Sequence, residues 1–431
     1  MRLALAILAS TIITPALADA RTYSGTIGDR AILAELTEPE DGAIVGRFTY
    51  IEDGADIPLY HITAEDGRWV VNEEGPCTPG ECIEGEEGIV LGGPIAATWE
   101  LSVSSDRSTL SGQREVFGNE VTEAPLPIAL SFVGSRPVES DEISPDALHY
   151  HSALLASDPS VSLEDAPYEL ELLDVRLEPG EIVESNGINW TYVTEPRSGL
   201  TFPRVLPMTP ETAVLGRAMD LHFYRMSLSA LECKAFRYVV YGVSESLLDH
   251  GGHTAGFEEE EVTLSYISPH LASWSQSGSL YCQGAHPYNH LDNYTLDAAG
   301  QWLDWRKVFS ALVPRAWSSQ PEDIAEVETA LADPDSYNWG PNLDMIGFVK
   351  SRIPADLFEG EAELAEICFS DQAIAEHLTY RVIADGDIMF TLSGFPHVAS
   401  VCNTDLFSAG PSELEPFLAA TAVDVFPALA Q

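Results

Sequence analysis

Two histidines four residues apart, His286 and His290, stand in the run GAHPYNH, and a third, His397, follows in FPHV. On a helix that spacing would put two imidazoles on one face, ready for a metal or for proton transfer. Pro287 and Asn289 lie inside it, so the segment reads as a turn, and no His-Glu-x-x-His motif is present. The bland expectation is that His286 packs at a tight Gly-Ala corner. The sharper one uses His286 or His397 as a general base. No Gly-x-Ser-x-Gly elbow offers a nucleophile. With 68 acidic residues in the chain, a carboxylate pair suited to glycoside cleavage cannot be singled out. No catalytic, metal or cofactor site is assigned. If a surface binds a partner, the residues to inspect are Tyr281, Gln283, His286, Tyr288, His290 and His397, where aromatic and polar groups crowd together.

The six cysteines are Cys77, Cys82, Cys233, Cys282, Cys368 and Cys402. An even number in an exported chain argues for three disulfides. Zinc would need a second close pair beside Cys77 and Cys82, and there is none. Of the formally possible pairings we expect Cys77–Cys82, by proximity in a Pro-Gly turn, with Cys233–Cys282 and Cys368–Cys402.

Export itself is read from residues 1–20, MRLALAILASTIITPALADA: one basic residue, an apolar run, and small residues at Ala16-Leu17-Ala18 and Ala18-Asp19-Ala20. This is the pattern of a signal peptide, too short to hold a membrane span stably. No later stretch reaches the length of a span, so the mature chain is expected to be soluble, and periplasmic or secreted. Lysine and arginine number 21 against 68 acids, a net charge of −47. Such a surface repels nucleic acid and anionic lipid and favours cationic partners at low salt. It also fits nothing more than solubility or a saline habitat.

The elements that must position these residues fall into two groups. From Arg21 to Val138 the chain is a train of short strands broken by Gly, Asp and Pro: 22–27, 31–36, 43–50, 57–61, 69–72, 97–103, 109–115 and 126–133. Ile32, Ala34 and Leu36 alternate with polar neighbours, as do Trp99 and Leu101. An all-β meander closing into a small barrel or sandwich is predicted for 21–138, filled by its own side chains. The acidic excursion 73–87 is expected to be a solvated loop. A polar linker, 139–150, separates this from an α+β domain over 151–431, an antiparallel sheet with helices on one side. There we expect a strand-like Tyr168–Leu172 and a helix opening at Thr209-Pro210-Glu211, with Leu215, Met219, His222 and Met226 on its packed face. A strand is expected at 236–241. Helices are predicted from Ser319 to Ala332, behind a capping-box pattern, and over 342–352.

The run SGSLYCQGAHPYNHLDNYTLDAAGQWLDWRKVF resembles the C-terminal extracytoplasmic domain of lysozyme-sensing anti-sigma factors, the RsiV-like family, found also beside peptidoglycan deacetylase domains. That family carries Gly-Gly-Ala-His and then a strand ending Asp-x-x-Thr-Gly. Here Gln283-Gly284-Ala285-His286 and Asp297-Ala298-Ala299-Gly300 stand in those places, the latter one residue shorter. The resemblance covers the last 230 residues at most. It implies a non-enzymatic envelope module whose partner is lysozyme, another cationic protein or a cell-wall component. A membrane span and cytoplasmic segment are not found, so transmembrane signalling is not implied. The alternative is a hydrolase of envelope polymers working through His286 or His397.

Overall fold

Alternating strands bury one face only if they find a second layer or close on themselves. In the computed structural model of the 431-residue chain the N-terminal strands close. The structure describes residues 18–37, 44–65, 67–75, 83–84, 90–117, 124–138, 144–158, 161–238, 260–280 and 288–425. They form two compact units, Met1–Asp174 with Lys234–Gly251, and Val175–Cys233 with Gly252–Gln431.

In the first unit, β1 (Ala18–Ile27), β2 (Arg30–Thr37), β3 (Gly46–Tyr50), β4 (Ile57–Glu65) and β5 (Arg68–Glu74) run up and down as neighbours. A small hairpin, β6 (Ile83–Glu84) with β7 (Val90–Gly92), interrupts them before β8 (Ile95–Val103), β9 (Thr109–Val116) and β10 (Leu126–Val138). Pairing of β10 with β1, from Ala18↔Val138 to Ile27↔Ile128, closes an eight-stranded antiparallel barrel. Side chains occupy its interior: Tyr23, Ile32, Phe48 and Trp99 are fully buried there. Trp99 Nε1 donates to Glu73 Oε2 at 2.8 Å, and Arg114 grips the same carboxylate through two nitrogens at 2.6 Å.

The outer face of β2 and β3 is covered as well. Two helices, α1 (Pro145–Ser157) and α2 (Pro167–Leu173), lie over it, so the first unit runs on to Asp174, past the polar stretch 139–150. The Tyr168–Leu172 segment, expected to be strand-like, is therefore helical. Pro167 opens the helix at its first position, and Tyr168 and Leu172, four apart, are buried. Between the layers sits a buried ion cluster. Arg47 donates to Glu35 (2.8 Å), Asp56 (2.9 Å), Glu169 (2.6 Å) and Ser152 (2.7 Å), and its guanidinium lies 4.1 Å from the Tyr168 ring centroid. Burial pulls the Arg47 pKa down, but Glu35, Asp56 and Glu169 outweigh it and leave the group well above its ordinary value.

The second unit is α+β. One sheet holds β11 (Glu178–Pro179), β12 (Val183–Ser185), β13 (Ile188–Thr194) and β14 (Thr201–Val205). The helix α3 (Ala213–Tyr238) follows, counted with this unit as far as Cys233. It begins after Thr209–Glu211, which turn back on Thr212: Thr209 N–H donates to Thr212 Oγ1 (2.9 Å) and Thr212 N–H to the Thr209 carbonyl (3.1 Å). It also continues to Tyr238, where a strand was expected from 236; residues 239–241 are outside the described set. Next comes an antiparallel sheet of β15 (Glu261–Ser268), β16 (Leu271–Leu280) and β17 (Tyr288–Asp297). Two further pieces complete the unit: β18 (Leu312–Ala316) with β19 (Tyr337–Pro341), and β20 (Leu378–Val382), β21 (Ile388–Leu392) and β22 (Thr404–Ala409). Only Val327–Ala332 of the predicted 319–332 helix is helical; before it, Ala325 N–H is held by the Pro314 carbonyl in the middle of β18. The helix Leu343–Arg352 starts on its Asn342 cap as the sequence suggests, Asn342 Oδ1 accepting from Met345 N–H at 3.0 Å.

Two apolar cores serve this unit. One gathers Phe202, Phe223, Met219, Leu215 and Trp274 under α3, and the other gathers Phe309, Met345, Ile374 and Phe390. They are tied where β20 lies on β16 and β17: Val382 N–H donates to Ser273 Oγ (3.0 Å), and Asn293 bonds both Thr379 (3.0 Å) and Arg381 (3.0 Å). Cys368 and Cys402, both buried in the second of these cores, form a disulfide, and Cys233 is disulfide-bonded. Its expected partner Cys282, like Cys77 and Cys82, lies outside the described residues.

Candidate functional site

Strand β17 sets the site by its period of two. Tyr288, His290, Asp292 and Tyr294 project on one face, opposite Leu280, Gly278, Gln276 and Trp274 of β16. Onto this face α3 lays His222, whose ring sits 4.9 Å from Tyr294, 5.3 Å from Trp274 and 5.3 Å from Trp302. His222 is thus packed among aromatic rings, and burial pushes its pKa down to about 4, so it is neutral at pH 7.

From His222 a chain of hydrogen bonds runs along the sheet. Its Nε2 lies 3.1 Å from Gln276 Oε1, and Gln276 Nε2 donates to Glu260 Oε1 at 2.9 Å. Glu260 Oε2 is 2.9 Å from His290 Nε2, and His290 Nδ1 is 2.8 Å from Asp292 Oδ2. Ser393 Oγ donates to the other Asp292 oxygen at 3.3 Å. Burial lowers the His290 pKa, but hydrogen bonds to Asp292 and Glu260 more than offset it, and the group rises to about 9. At neutral pH it is an imidazolium that donates from both nitrogens to two carboxylates. The Tyr288 ring stacks on it, centroids 5.2 Å apart, and is half exposed.

His397 opens a 3₁₀ segment, His397–Cys402, and is itself exposed. The segment packs beside β17: Asn289 Nδ2 donates to Ser400 Oγ (3.4 Å) and Asn403 Nδ2 to the Asn289 carbonyl (3.2 Å). Its far end is fixed by the Cys368–Cys402 disulfide. Of the six candidate binding residues, Tyr288 and His290 therefore stand on one strand beside the segment that bears His397. Tyr281, Gln283 and His286 lie outside the described residues. The segment also displays Val398, 89% exposed, and Val401, 53% exposed.

Chemically the cluster is a clamp. An imidazolium bonded on both sides has no lone pair with which to accept a proton. Ser393 bonds the carboxylate and not the imidazole, so the three do not compose a nucleophile relay. Among the described residues no group of three or more histidine, cysteine or acidic side chains is placed to hold a metal ion. Sequence reasoning missed Asp292, Glu260, Gln276 and Asn289. The alternation in YNHLDNYTLD carried a signal for Asp292; Glu260 arrives from thirty residues away and left none. No family model matches this chain, and no characterised protein matches it.

Proposed function

We propose that this chain is an exported binding module of the cell envelope that performs no chemistry of its own. Its contact surface is the corner where the start of β17 meets the His397–Cys402 segment, and its partner is a cationic protein. The observation that carries this reading is the pairing of a clamped imidazolium with exposed apolar groups. His290 is immobilised by Glu260 and Asp292, while Tyr288, Val398 and Val401 are offered to solvent on a frame held by Asn289, Asn403 and a disulfide. An exposed aromatic and exposed apolar groups on neighbouring elements are the composition of an interface hot spot. The net charge of −47 supports a basic partner, and the RsiV-like resemblance suggests lysozyme as the first one to try.

Export is supported by the character of residues 1–20. Strand β1 begins at Ala18 and Ala20 is fully buried, so cleavage after Ala18 suits the barrel better than cleavage after Ala20. Among the described residues no helix is long and apolar enough to cross a membrane.

The test is capture of lysozyme by the full chain, measured by surface plasmon resonance at low and physiological salt. Tyr288→Ala with Val398→Ser should weaken binding about tenfold while leaving the circular dichroism spectrum unchanged. Undiminished affinity in that variant, or no capture at low salt, would overturn the proposal.

A further inference from the structure

Away from this corner, the second unit carries a cleft of about 330 Å³ against the middle of β15. Two hairpin tips frame it. Asn186-Gly187 joins β12 to β13, and Asp385-Gly386 joins β20 to β21; all four residues have positive φ, as tight hairpins require. Between the tips Trp190, Leu264, Ser265 and Tyr266 line the walls. The indole of Trp190 is fixed by its N–H to Ser185 Oγ at 3.2 Å and by an edge contact with Tyr192.

What enters is constrained by the edge of β15, an outer strand of its sheet. An open edge would invite a further strand, but side chains already cap this one. The Leu264 N–H donates to Tyr192 Oη (3.1 Å) and the Ile267 carbonyl accepts from Asn186 Nδ2 (2.9 Å). A bulge between Leu264 and Tyr266 breaks the register as well. A side chain fits where a strand does not.

The chemistry of the lining selects its kind. Two aromatic rings and Leu264 suit an alkyl stem, and Asp385 is the one charged residue, with no Lys, Arg or His among the lining residues. Its carboxylate has no hydrogen-bond or ion-pair partner among the described residues. We propose that this cleft receives a lysine or arginine side chain of the partner, stem against Trp190 and Tyr266, cationic head toward Asp385. This rests on the reading of a cationic partner and gives that partner a second point of attachment.

The probe is acetyl-Gly-Lys-Gly-amide, with the norleucine analogue as its uncharged counterpart, followed by the Trp190 indole resonance. Asp385→Asn is the variant of choice, since asparagine tolerates the left-handed backbone and the site is exposed. The lysyl peptide should shift the resonance saturably at millimolar concentration, and the norleucine peptide and Asp385→Asn should each weaken that about fivefold. Equal response to both peptides, or no change in Asp385→Asn, would overturn the assignment. Should the peptide bind as described while lysozyme is not captured at any salt, the cleft stands and the cationic-protein reading falls. If lysozyme is captured with equal affinity by Asp385→Asn, the cleft is not part of that contact and its assignment to the partner fails.

Discussion

His290 and His222 are the same residue type, three hydrogen bonds apart in one chain through Gln276 and Glu260, and their surroundings drive them in opposite directions. His222 is held to about 4 by burial among rings, and His290 is raised to about 9 by two carboxylates. An imidazole titration followed by NMR should show both departures; values near 6.5 for each would refute the geometry. The linkage has a definite sign. Since His290 is raised above its unfolded value, its stabilisation is fully present below about pH 6.5 and fades as pH rises through about 9. Replacing it by Gln should cost ~1–3 kcal/mol at pH 6 and almost nothing at pH 10, read from urea unfolding. His222 acts in reverse: it is depressed, so it costs stability only as pH falls below about 6.5 toward 4. At this scale the sequence was half legible. Tyr288 and His290 stand out as part of an aromatic and polar crowd but read as a turn, where the structure has them open a strand, and nothing in a linear string announces that Glu260 will sit against an imidazole.

Among the elements, the barrel was legible and its cover was not. Eight short runs broken by Gly, Asp and Pro became eight strands of five to thirteen residues, the alternation being clear in several of them. Five residues such as YELEL satisfy a strand or a helix turn equally, and the outcome was decided by what lay beneath: the Arg47 cluster needed Glu169, Ser152 and Tyr168 from α1 and α2. A guanidinium buried with its carboxylates tolerates loss of a partner badly. Arg47→Met should therefore destabilise the first unit by ~3–5 kcal/mol, leaving three carboxylates with too few donors. Thermal unfolding of that variant checks this. A loss below 1 kcal/mol would mean that the helices are held by apolar contacts instead. The false helix start at Ser319 is comparable: a local capping pattern is followed instead by the bond between Ala325 and Pro314.

For the molecule as a whole, charge and sulfur decide behaviour. The Cys368–Cys402 bridge spans a sequence separation of 34 and fixes the segment that displays Val398. Replacing both cysteines by alanine should cost ~2–5 kcal/mol and weaken lysozyme capture as the valine-bearing segment loosens. Stability and capture that both survive intact would separate the disulfide from the site. With −47 charges, capture should fall steeply with added salt.

The pairing of β1 with β10 has a temporal corollary. Strand β1 leaves the ribosome well before β10 and finds its neighbour on that side only after Val138 has followed, more than a hundred residues later. Until then both β1 and β9 expose unsatisfied backbone, the condition in which nascent chains stick to one another. Any truncation inside β10 should therefore yield aggregates and not a shortened monomer, and a holding chaperone should matter most during that interval of synthesis or translocation.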